Sequence, residues 1–161
     1  MSNQRRDALR MSDAEVEAFL ADGRRVQVAT VDAAGGVDLV PMSYLLWDGR
    51  LALWTDPGSQ KVRNLRRNPA ITCLVEQGDR FEEFRAVQLR GRAELIEDPD
   101  DSRRAGELLF ARAAPGPLTE EGRAAVAALA PQRVVVVVHP ERTVSWDHRK
   151  LGGVRPGDIG R

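Results

Sequence analysis

Lysine and cysteine are nearly missing from this 161-residue chain: of 24 basic residues 22 are arginine, leaving Lys61 and Lys150, and Cys73 is the single thiol. One cysteine excludes an internal disulfide and a multi-thiolate metal centre, which fits a reducing compartment. The two histidines, His139 and His148, have no companions at metal-ligand spacing, so no metal site is expected. No stretch approaches the ~20 apolar residues of a membrane span, and no apolar segment follows Arg5, Arg6 and Arg10 to make a signal peptide. A cytoplasmic protein without membrane attachment is expected. Net charge is zero, with 24 acidic residues against 24 basic ones, so no global field exists to hold a nucleic acid. The chain also has no Gly-x-Ser-x-Gly elbow, no Gly-x-Gly-x-x-Gly after a strand and no Walker-type loop. Those absences remove the ordinary hydrolase, dinucleotide-fold and P-loop readings.

What is present is one domain's length of chain. Residues 1–150 read as a single domain, and the glycine- and proline-rich residues 151–161 read as a flexible tail. Ser12-Asp13-Ala14-Glu15 has capping-box spacing and opens a short helix over 12–22. Alternating apolar residues follow from Val26 to Asp32, and a second strand runs from Val37 to Trp47. Asp48-Gly49 turns it back into Arg50–Thr55 as a hairpin. Asp56-Pro57-Gly58 breaks that strand, and a short helix from Ser59 ends at Asn68-Pro69.

Strands are expected over 70–76 and 84–97, and Asp98-Pro99-Asp100-Asp101 opens a helix with acids at its positive end. An alanine-rich helix runs from Thr119 to Leu129. Val134–Val138 reads as a strand buried on both faces, and Thr143–Trp146 as a further short strand. About six antiparallel strands with a few interposed helices predict a mainly β (α+β) fold, a six-stranded barrel with peripheral helices. Cys73, inside Ile71–Val75, reads as a buried structural thiol.

Between Ser59 and Asn68 stand Lys61, Arg63, Arg66 and Arg67 with no acid. At a helix start such charge adds to exposed backbone N–H groups and favours an anion such as a phosphate; a solvated arginine-rich face explains it equally well. Lys61 and Asn64 share a helix face, and Thr55 ends the preceding strand close by.

The chain resembles the flavin- and deazaflavin-binding split-barrel proteins of the pyridoxamine phosphate oxidase-like superfamily. The resemblance runs through Val28–Val31, Leu39-Val40-Pro41-Met42-Ser43, Leu53-Trp54-Thr55, Ser59–Pro69 and Leu89–Glu94. It implies a homodimer that holds its cofactor at the subunit interface. Backbone at Pro41, Met42 and Ser43 would lie against the ring, Trp54 and Thr55 would border it, and Ser59, Gln60, Lys61 and Asn64 would hold the phosphate. The oxidases have Tyr-Thr where Trp54-Thr55 stands here and Ser-Arg-Lys where Ser59-Gln60-Lys61 stands. They also carry a strand signature of arginine and lysine that is missing around Met42–Leu46, so the chain is not read as a vitamin B6 oxidase.

Asn64-Leu65-Arg66-Arg67-Asn68-Pro69 and Trp146-Asp147-His148-Arg149-Lys150 are similar to the actinobacterial branch that uses coenzyme F-420. That implies hydride transfer from reduced deazaflavin to a small unsaturated acceptor, with the protein supplying orientation and a dry pocket. No catalytic acid or base is nominated. FMN is the alternative cofactor, and some relatives bind or store a flavin, a deazaflavin or haem without catalysis. Trp146–Lys150 is read as a docking segment that crosses to the partner subunit.

Overall fold

Ser12 and Glu15 close their capping box as the spacing predicts: the Glu15 amide donates to Ser12 Oγ at 3.2 Å and the Ser12 amide to Glu15 Oε2 at 2.6 Å. The computed structural model describes residues 7–113 and 116–152. Its elements are α1 (Asp13–Asp22), β1 (Arg25–Val31), β2 (Val37–Ser43), β3 (Leu45–Trp47), β4 (Arg50–Thr55), α2 (Gln60–Arg67), β5 (Ala70–Gln77), β6 (Arg85–Ile96), α3 (Pro99–Ala113), α4 (Glu120–Leu129) and β7 (Val134–Asp147).

The strands form one antiparallel sheet in the order β2-β1-β5-β6-β7-β4-β3. The two edge strands, β2 and β3, are separated in the chain by Tyr44 alone, so the sheet must curl until its ends nearly meet. The expected six strands become seven. Val37–Trp47 breaks at Tyr44, whose fully buried ring and hydroxyl, donating to Leu20 O at 2.6 Å, pull the chain from one edge to the other. The two segments expected at 134–138 and 143–146 are instead one 14-residue strand. It survives Pro140 because that residue faces Gly91, where the β6–β7 register shifts and a missing ladder donor is tolerated.

Two apolar layers hold the sheet. Inside the curl, Val26, Val28, Leu51, Leu53, Cys73 and Val136 pack together. Outside, Ala52, Trp54, Val135 and Val137 pack under Ala105 of α3 and Val126 of α4. Every residue of Val134–Val138 is buried because alternate side chains enter the two layers. Each buried valine or leucine contributes about 1.5–3 kcal/mol. The Asp48-Gly49 turn has positive φ at both residues, 47° and 81°, as a tight hairpin requires.

Within its own chain, the segment Trp146–Lys150 is held at several points. Lys150 Nζ bonds Glu15 Oε2 at 2.7 Å and Arg10 O at 2.8 Å, and the His148 amide bonds Phe84 O at 2.9 Å. Most of the predicted tail, 153–161, lies outside the described residues. Among the described residues no helix is long and apolar enough to cross a membrane.

Candidate functional site

The loop Asp56–Ser59 and the first turn of α2 form the site that the sequence singles out. Asp56 Oδ1 accepts from the Gly58 amide at 2.6 Å and builds the turn that delivers Ser59 to the helix start. Ser59 stands at the N-cap but does not cap: its hydroxyl donates to Asp56 O at 2.8 Å. The first amides of α2 are therefore left without a side-chain acceptor.

Lys61 sits in that first turn, half-buried, and among the described residues its ammonium makes no hydrogen bond or salt bridge. Burial holds it below the ordinary lysine value, with the nearby carboxylates of Asp38 and Asp56 pulling the other way. The three arginines of the same helix are differently placed. Arg66 pairs with Glu97 at 2.6 Å and bonds Pro57 O at 3.1 Å. Arg67 bonds Val31 O at 2.7 Å. Arg63 bonds Gln60 Oε1 at 2.6 Å and Gly58 O. The four-charge stripe thus resolves into three anchored guanidiniums and one ammonium with no partner among the described residues.

Asn64, expected beside Lys61 on the phosphate, is fully buried and turned inward. Its Nδ2 donates to Thr30 Oγ1 at 3.0 Å and its Oδ1 accepts from Gln60 Nε2 at 2.8 Å. It fastens α2 to β1, and Gln60 braces it. Thr55 and Trp54, adjacent on β4, project to opposite faces of the strand, so their side chains do not share one surface. Trp54 belongs to the layer under α3, where its indole N–H donates to the buried Ser102 Oγ at 2.9 Å. Thr55 is buried on the face that carries Leu51 and Leu53 into the inner core.

Pro41, Met42 and Ser43 lie on edge strand β2. Met42 packs against the core, whereas Pro41 and Ser43 are exposed on the outer face with Val37 and Leu39. Beside them a groove of about 540 Å³ opens over the outer face of the sheet, floored by Ala29, Thr72 and Gly91 and rimmed by Val37, Arg90 and Arg142. Sequence reasoning missed this groove. Its only trace there is a run of small residues alternating with the core positions of β1 and β5.

No curated protein sequence matches the chain significantly. Among solved structures, a conserved hypothetical protein of Mycobacterium tuberculosis is 38% identical with a TM-score of 0.87, covering 93% of each chain. An F420 reductase is 30% identical with a TM-score of 0.61, covering 79% of this chain and 94% of its own. An FAD-binding protein of Mesorhizobium loti, at 22% identity, TM-score 0.64 and coverage of 84% and 94%, shares the fold. The sequence profile of the pyridoxamine 5'-phosphate oxidase family spans residues 12–147, from the capping box of α1 to the end of β7, and the chain belongs to that family of flavin-binding oxidoreductases.

Proposed function

We propose that this protein is a coenzyme F-420-dependent oxidoreductase that reduces a small unsaturated acceptor. The observation that carries the choice of cofactor is the 30% identity to an F420 reductase across 94% of that chain. Lys61 supports it physically. A partly desolvated ammonium without a partner among the described residues, beside uncapped helix amides, is a donor set for one phosphate oxygen cluster.

When bound, reduced deazaflavin supplies the hydride. The chain's own residues bind and orient. Lys61 and the first turn of α2 would hold the phosphate, with Ser59 and Gln60 shaping the loop. The β2 backbone at Pro41–Ser43 would back the ring. Asn64 serves by fixing α2 and so the position of Lys61.

A second copy of the chain would close the site from outside. Val37 and Leu39 are 70% and 61% exposed on the β2 edge of the sheet's outer face, away from the strands that α3 and α4 cover, a patch suited to a partner. Leu39→Glu is expected to convert a dimer to monomer in sedimentation and to weaken cofactor binding with it.

FMN is the second reading, and one observation favours it: with Arg63, Arg66 and Arg67 anchored, Lys61 is the one cation of that stripe without a partner among the described residues, enough for a single terminal phosphate. Protein purified from a host without F-420 tests the pair. A colourless preparation that quenches added F-420 fluorescence supports the first reading; a yellow one with bound FMN supports the second. Turnover of a panel of enones by the loaded protein separates an enzyme from a binding protein.

A further inference from the structure

A separate cavity of about 370 Å³ lies where α3 ends beside Tyr44, lined by Arg24, Ser43, Tyr44, Leu109, Phe110 and Arg112. Its two guanidiniums are held at the C-terminal end of α1. Arg24 Nη1 reaches Ala21 O at 3.3 Å and Gly23 O at 3.2 Å, and Arg112 Nη2 reaches Leu20 O at 3.1 Å. Arg112 also lies over the Tyr44 ring, 5.0 Å from its centroid.

Each guanidinium is thus fixed through one terminal nitrogen, and among the described residues neither pairs with a carboxylate. Arg112 Nε is buried with no acceptor among the described residues. Burial, with the Arg24 charge adding to it and Tyr44 and Asp22 opposing, holds the Arg112 guanidinium below the ordinary arginine value. Carbonyl dipoles at the helix end and the nearby Asp22 carboxylate offset part of this charge, but half-buried Arg112 and exposed Arg24 form no salt bridge among the described residues. The other walls are apolar: Leu109 is half-buried and Phe110 is 42% exposed for so large a side chain.

A fixed arginine pair suits a planar carboxylate, and an aromatic edge beside it suits a hydrocarbon body. Ser43 ties the cavity to β2, the strand proposed to back the deazaflavin ring. We propose that this cavity is the acceptor subsite and takes a small unsaturated carboxylic acid, with Arg24 and Arg112 on the carboxylate and Phe110 against the carbon skeleton. The assignment as acceptor rests on the redox reading above. The acceptor's carbon–carbon double bond would gain a hydride from the reduced cofactor, which is oxidised, and a proton from solvent.

Calorimetric titration of the full chain without cofactor, using trans-cinnamate, its methyl ester and inorganic phosphate, tests the site. Saturable binding of cinnamate, at least tenfold weaker binding of the ester, and at least tenfold weakening by Arg24→Gln are expected. Arg112→Gln removes part of the α1 cap and is liable to unfold; Phe110→Ala gives an independent second variant and should also weaken cinnamate. Equal binding of ester and acid, or phosphate binding as tightly as cinnamate, overturns the carboxylate assignment. The two readings fail separately. Cinnamate that does not bind while F-420 fluorescence is quenched removes the subsite, whereas cinnamate bound through Arg24 without F-420 quenching removes the cofactor reading and leaves a carboxylate site.

Discussion

The Asn64 carboxamide and the Thr30 hydroxyl meet at 3.0 Å in a fully buried contact that joins α2 to β1. Neither residue reaches solvent, and the contact fixes the helix whose first turn carries Lys61. Stability and the proposed phosphate binding therefore separate onto two residues three positions apart. Asn64→Ala is expected to lower unfolding free energy by about 2–3 kcal/mol, because Thr30 loses its partner in the interior, while exposed Gln60 can turn to water. A urea melt reads this, and an unchanged midpoint would remove the fastening role.

Lys61→Ala should do the reverse. Loss of one charge-assisted contact predicts about 1.5–3 kcal/mol weaker F-420 binding in a fluorescence titration, with the melting temperature within a degree or two of the parent. Unchanged affinity would sink the phosphate assignment.

Tyr44 is the chain's single tyrosine, so phenolate absorbance at 295 nm reports on it alone. Burial pushes its hydroxyl up to about 12. Because the folded value lies above the unfolded one near 10, the folded state keeps a proton the unfolded state gives up. Stability is thus full below pH 10 and falls as pH rises toward 12. A native titration curve centred near pH 10 would contradict the burial.

Cys73 is fully buried, and burial raises its thiol to about 12. Native protein should react with a disulfide reagent far more slowly than a free thiol, and one equivalent should appear only on unfolding. Fast native labelling would show an open inner core.

Gly91 is needed for a close approach: a Cβ there would lie 2.0 Å from His139 O, across the bulge that bends β6. Gly91→Ala should cost about 3 kcal/mol or more, since the obstacle is backbone and cannot rotate away. A near-neutral melt would mean the two strands can slide apart at the bulge.

Features set by neighbours in the chain were legible in the sequence. The Ser12–Glu15 capping box, the Asp48-Gly49 turn, the alanine-rich helix beginning at Thr119 and the doubly buried Val134–Val138 each depend on residues a few positions apart. Lys61 was legible for a different reason, as a lone lysine among arginines at a helix start. What escaped depends on distant chain. Nothing local says that Arg66 will find Glu97, that Arg67 will find Val31 O, or that Asn64 will turn inward to Thr30. Period-2 alternation puts Trp54 and Thr55 on opposite faces, but only the placement of α3 shows which face is covered. The break expected between Val138 and Thr143 is absent because Pro140 is tolerated opposite Gly91, a pairing nothing local foretells.

Both helices of the second apolar layer, α3 and α4, enter the chain between β6 and β7, two strands that are neighbours in the sheet. The cost of closing such a connection rises only slowly with its length. Residues can therefore be added, removed or exchanged between Ile96 and Val134 while the ladder, the Gly91 bulge and Lys61 stay as they are. The layer that carries Phe110 and Arg112 is the part of this molecule most open to divergence. Descendants of one barrel could come to differ in what they accept without differing in what they hold.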